Sequence, residues 1–146
     1  EQAWRHFSDN VGFDTAAIVS LLAELRAKYG TLILIGYSVG ATLAWLAARS
    51  GLCDAAVCHY GARIRLYSDV APPSPTLVII ARNEPAFDPR VMQNELEKIP
   101  SVTCRMFNAL HGFCDADSPA WDARLAQQAD EDTLRFLTLI QQTQEA

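Results

Sequence analysis

Apolar positions along the chain alternate between two kinds of segment. Ile18, Leu21, Leu22, Leu25 and Tyr29 recur at helical spacing. Asp14 is placed to cap that run and Phe13 to staple onto Ile18, so a helix is predicted over 14–29, with Gly30 as its stop. Residues 32–35 are a continuous apolar run and read as a strand, and after Gly36-Tyr37-Ser38-Val39-Gly40 a helical pattern runs to about Ser50, ended by Gly51. A second strand is expected over 55–59. A third, over 76–80, lacks alternation, which is the pattern of a strand covered on both faces in a parallel sheet. Met92, Leu96 and Ile99 mark a helix, 102–107 a fourth strand, and Trp121, Leu125, Ala129, Phe136, Leu137 and Ile140 a final amphipathic helix. Pro72, Pro73 and Pro75 make 61–75 a long loop, and long loops in compact domains are usually functional. The polar stretch Ser8-Asp9-Asn10 precedes the first predicted helix, and no element is assigned before it.

Alternating strands and helices with short connections predict an α/β fold, a mainly parallel sheet of about four strands with flanking helices. The ligand site of such a sheet lies off the carboxyl ends of the strands. With 146 residues, half of them apolar, the chain fills one core, so residues 1–146 are read as a single domain. The net charge of −5, without a run of like charge, is the opposite of a nucleic-acid footprint. No apolar stretch approaches the roughly 20 residues of a membrane span, and the start shows no signal-peptide pattern, so a soluble cytoplasmic protein is expected. Cys53, Cys58, Cys104 and Cys114 match neither a zinc ribbon nor a C-x-x-C pair and read as buried thiols in a reducing compartment. Metal binding has little support. Glu1 is not an initiator methionine, and a start further upstream is expected.

The pentapeptide Gly36-Tyr37-Ser38-Val39-Gly40 stands where a strand turns directly into a helix. A serine at the tip of that turn is held in a strained conformation that only glycine two residues to either side permits, which makes Ser38 the candidate nucleophile. Three carboxyl-end turns face one side of the predicted sheet: the elbow, residues 82–88 and residues 108–115. The chain order serine, acid, histidine is that of an α/β-hydrolase sheet. His111, in a loop after the last strand, is the candidate base. Asp88, before Pro89, has a structural task as a helix N-cap, whereas Glu84 is free to hold the imidazole tautomer; Asp88, Asp115 or no acid at all remain the alternatives to Glu84. Tyr37, in the elbow, and Arg63, in the long loop, are candidates for substrate contact. Arg63 and Arg65 are placed to attract an anionic substrate, against the ordinary reading of solvated loop arginines. His59 reads as a strand-terminal residue packed beside the elbow, and His6 has no evident partner.

On the elbow, the strand-plus-acid stretch 77–89, and His111-Gly112-Phe113 followed by the long last helix, the chain resembles the dienelactone hydrolase family of α/β-hydrolases. The resemblance implies a truncated α/β-hydrolase fold. It implies Ser38 as nucleophile, Glu84 as acid and His111 as base, the Val39 N–H in the oxyanion hole, and hydrolysis of a small ester or lactone without metal or organic cofactor. Founding members carry cysteine at the elbow and a further glycine where this chain has Ser38 and Ala41, so general esterase chemistry, extending to thioesters, is the wider expectation. The strands that usually precede the elbow, one of whose turns supplies a second oxyanion N–H, are not in this sequence. A non-catalytic binding or assembly module is the competing reading. In either case the open neighbour position beside 32–35 leads us to expect a homodimer or a complementing chain at the N-terminal edge.

Overall fold

In the computed structural model, which describes residues 1–146, the four apolar runs pair in the order in which they occur. Strands β1 (Ile33–Tyr37), β2 (Ala55–His59), β3 (Thr76–Asn83) and β4 (Val102–Leu110) form one parallel sheet of order β1-β2-β3-β4. Parallel neighbours need a crossover. Helices α3 (Val39–Ala48) and α4 (Pro89–Leu96) supply two of them, and a 3-10 turn over Ala62–Leu66 interrupts the connection between β2 and β3. That turn falls in the stretch expected to be irregular loop.

The core has two layers. On one face, Trp45 of α3 and Met92 and Leu96 of α4 pack on Cys58, Val78, Ile80 and Cys104. On the other, Leu125 and Ala129 of α5 (Ala123–Glu145) pack on Val57, Leu77, Ile79 and Phe107. Strand β2 is buried at every position, because strands flank it on both sides and helices cover both faces. Strand β1 is an edge. Its Leu34 faces the α3 side, while Ile33, Ile35 and Tyr37 are exposed on the side that α5 leaves uncovered. Cys53, Cys58 and Cys104 are buried and Cys114 is half-buried, all as free thiols.

Several elements differ from the sequence pattern. A helix α1 (Gln2–Asn10) occupies the stretch left without an element, and His6 on it meets Asn10 at 3.3 Å through Nδ1. Helix α2 (Ala16–Arg26) is shorter than 14–29: Asp14 Oδ1 accepts from the Ala16 N–H, but the helix ends four residues before Gly30. The Arg26 side chain draws that end onto the Leu52 carbonyl and the Asp54 carboxylate. The Phe13 ring joins Trp4 and Phe7 of α1 and Tyr67. Strands β3 and β4 run on to Asn83 and Leu110, past the predicted ends at Ile80 and Phe107, because their ladder continues through a register shift between Ala81 and Asn83. Trp121 precedes α5, whose N-cap is Asp122, rather than belonging to it.

Candidate active site

Of the glycine positions, Gly36 in the turn from β1 into α3 is the most crowded. A Cβ at Gly36 would stand 2.1 Å from the Gly40 carbonyl oxygen, so only glycine lets the two arms of the turn pass. Gly40 is different: a Cβ there meets nothing within 4 Å, so the need for glycine falls on one side of the serine and not on both. Between them Ser38 takes φ 55° and ψ −116°, a conformation costing on the order of 1–3 kcal/mol that persists because its surroundings hold it. The Ser38 N–H donates to the His59 carbonyl at 2.9 Å, which ties the elbow to the end of β2.

The longer β3 and β4 make Glu84 and His111 the first residues beyond their strands. Ser38 Oγ lies 2.8 Å from His111 Nε2, and His111 Nδ1 lies 2.7 Å from Glu84 Oε1. The Glu84 side chain is 7% exposed and that of His111 37%. A carboxylate only accepts, so Nδ1 carries the proton and Nε2 offers its lone pair to the serine hydroxyl. The turn that brings His111 round uses Gly112 at φ 88°, where a side chain would be strained. The Tyr60 ring, 5.0 Å from the imidazole centroid, packs against it. Tyr60 itself has φ 41°, the second non-glycine residue with positive φ.

The other acidic candidates are engaged elsewhere. Asp88 caps α4 by accepting from the Arg90 N–H at 3.0 Å and pairs with the Arg90 guanidinium at 3.2 Å. Asp115 accepts from the Asp117 N–H in its own turn. His59 is 1% exposed, stacked on Tyr37 at 4.3 Å with neither ring nitrogen hydrogen-bonded. Burial pushes its pKa down to about 4, so it is held neutral in the fold.

Two clefts meet at Ser38 and His111. The larger, about 510 Å³, is walled by Tyr37, Tyr60, Asp115 and Ser118. The smaller, about 220 Å³, is walled by Trp4, Phe13, Val39, Thr42 and Arg63. Tyr37 and Arg63 thus line opposite sides of the serine, whereas Arg65 turns away to pack over Phe87 at 4.6 Å. Burial raises the Tyr37 pKa, and it pushes that of Tyr60 up to about 12, so both phenols stay protonated near neutrality. Trp4, Phe13 and Tyr60 are site residues that the sequence reading missed. For Trp4 a signal was available, since Trp4, Phe7 and Val11 fall at helical spacing.

The family model described as the dienelactone hydrolase family matches residues 1–141. The chain is 36% identical over 89 residues to the uncharacterized protein YczH of Bacillus subtilis (strain 168), covering 60% of this chain and 44% of that protein. It is 26% identical over 129 residues to a carboxymethylenebutenolidase of Pseudomonas sp. (strain P51), covering 85% of this chain and 54% of that one. The chain therefore spans about half the length of these curated relatives.

Proposed function

The chain belongs to the dienelactone hydrolase family, and on that premise we propose that it is a serine hydrolase cleaving a small carboxylic ester, lactone or thioester. The observation that carries this reading is the hydrogen-bond chain from Ser38 through His111 to Glu84, assembled from the carboxyl ends of β1, β3 and β4. Ser38 Oγ attacks the carbonyl carbon and passes its proton to His111 Nε2, and Glu84 holds the tautomer and balances the imidazolium. The Val39 N–H, first in α3, has no acceptor within its helix and faces the oxyanion with the positive end of the helix dipole behind it. Collapse expels the leaving group with the proton from His111, and water repeats the sequence on the acyl-enzyme. The walls of Tyr37 and Tyr60 on one side and Trp4 and Phe13 on the other suit a small substrate. The similarity to a carboxymethylenebutenolidase is in keeping with that size.

A fluorophosphonate probe tests the reading directly. One covalent adduct on the wild-type chain, located at Ser38 by peptide mass mapping and lost in Ser38→Ala, is the expected result; a folded chain that stays unlabelled would overturn it.

An unlabelled chain would favour the assembly reading, which also has an observation behind it. Beside the β1 edge, a groove of about 850 Å³ runs between Ile33 and the α5 residues Leu134, Leu137 and Ile140. The groove is of mixed character, with Asp54, Gln141 and Gln144 beside those apolar residues, and an open strand edge of this kind is commonly covered in stable proteins. We propose that a second copy or a complementing chain covers this one.

A further inference from the structure

Arg63 has no carboxylate partner. The ion pairs of the molecule engage Arg26, Arg49, Arg90, Arg105, Arg135, Lys98 and His111, and Arg63 is in none of them. Its guanidinium lies instead over the Trp4 ring at 4.7 Å and the Phe13 ring at 5.7 Å. The ring faces take no N–H from the guanidinium through a hydrogen bond within the protein, so its donors stay available to a ligand. It also forms part of the wall of the smaller cleft, together with Ser38, Val39 and His111.

The placement of Val39 gives that charge a direction. Val39, the first residue of α3, lines the smaller cleft beside Arg63 and not the larger, so the start of that helix, the serine and the guanidinium share one cleft. We infer that Arg63 is a catalytic residue of the proposed hydrolysis, providing a second, charged donor to the oxyanion formed at Ser38. This rests on the hydrolase reading given above. As Ser38 Oγ bonds to the carbonyl carbon, its proton moves to His111 Nε2 and the carbonyl π pair moves onto oxygen. That oxygen, now negative, lies between the Val39 N–H and the Arg63 guanidinium. When the π bond re-forms, the bond to the leaving group breaks and the proton on His111 departs with it. Charge develops only in the transition state and intermediate, so the interaction acts on turnover more than on substrate binding. Trp4 and Phe13 hold the guanidinium in place, which makes them positioning residues.

The experiment compares the whole chain with Arg63→Gln and Arg63→Lys on p-nitrophenyl acetate, a neutral ester, and mono-p-nitrophenyl succinate, an anionic one. Fluorophosphonate labelling and thermal melting are run on all three proteins. Expected for Arg63→Gln is a loss on the order of 10- to 100-fold in kcat on both esters, with KM and melting temperature nearly unchanged and part of the rate recovered by Arg63→Lys. Wild-type kcat on the neutral ester in Arg63→Gln overturns the inference while leaving the hydrolase reading intact. A loss confined to KM for the anionic ester also overturns it, by moving Arg63 to a substrate carboxylate. A kcat loss with a lowered melting point and no recovery in Arg63→Lys overturns it in favour of a packing role. A wild-type chain that neither hydrolyses nor is labelled overturns the hydrolase reading and this one together.

Discussion

At the scale of single residues, the hydrogen-bond chain separates chemistry from support. Ser38→Ala is expected to lower ester hydrolysis by about 10⁴-fold or more, as for a triad nucleophile. Its melting temperature should move little, since alanine meets the same backbone strain as serine at φ 55°. Glu84→Gln puts a neutral amide beside His111 Nδ1, which cannot balance the imidazolium and can offer its NH2 to hold the wrong tautomer, and should cost on the order of 10³-fold in kcat. Asp88→Asn should leave turnover within about two-fold, because asparagine also caps helices; the reverse ranking in steady-state assays would move the acid to Asp88. His59 makes the fold sensitive to acid. Its imidazole is held down to about 4 in the fold, against 6.5 ordinarily, so between those values the unfolded chain takes up a proton that the folded chain refuses. Stability therefore falls as pH drops from about 6.5 to about 4, by up to about 3 kcal/mol. His59→Phe, which keeps an aromatic ring beneath Tyr37, should flatten that part of the curve of melting temperature against pH.

At the scale of elements, the elbow is the most demanding structure in the chain. Gly36→Ala drives a Cβ to 2.1 Å from the Gly40 oxygen, and backbone on both sides leaves no flexible side chain to yield. A loss of at least about 3 kcal/mol in urea denaturation is expected, or failure to fold. Gly40→Ala opens onto free space and should change stability by less than about 1 kcal/mol, since alanine is a good helix former inside α3. The strands at this end were shorter in the sequence pattern than in the fold. Arg82, Asn83 and Asn108 are polar, and a period argument stops at polar residues. The ladder between β3 and β4 carries them on, helped by Asn83 donating to Asn108 at 3.1 Å, and brings Glu84 and His111 level with the elbow.

At the scale of the whole molecule, the sheet ends in two edge strands, β1 and β4, and the β1 flank carries exposed apolar side chains. Ile35 is 49% exposed and Ile33 39%, beside Leu134 at 65%. A proposed homodimer or complementing chain on this flank predicts sedimentation at micromolar concentration faster than a 16.1 kDa monomer. Ile35→Lys, which puts a charge on the edge, should return the protein to monomer with its ester hydrolysis within about two-fold of wild type. A monodisperse wild-type monomer would show that this flank needs no cover.

The residues by themselves carry the parallel α/β fold, the elbow, and the sequence order of Ser38, Glu84 and His111. These follow from local rules: apolar runs without alternation, glycine where backbone must pass backbone, and turns at the carboxyl ends of strands. The cap at Asp88 was legible for the same reason, because Asp-Pro before a helix acts within one turn. Which acid reaches His111 was left open, since that depends on a register shift between β3 and β4 about 25 residues apart in the chain. The place of α1 was hidden too. Its charged and polar face reads as solvent-exposed chain, and only packing of Trp4 and Phe13 against Arg63, with Phe7 behind them, turns it into a wall of the site. Contacts between residues far apart in sequence leave no period in it, so the tertiary structure decided that Trp4, Phe13 and Tyr60 join the residues around Ser38.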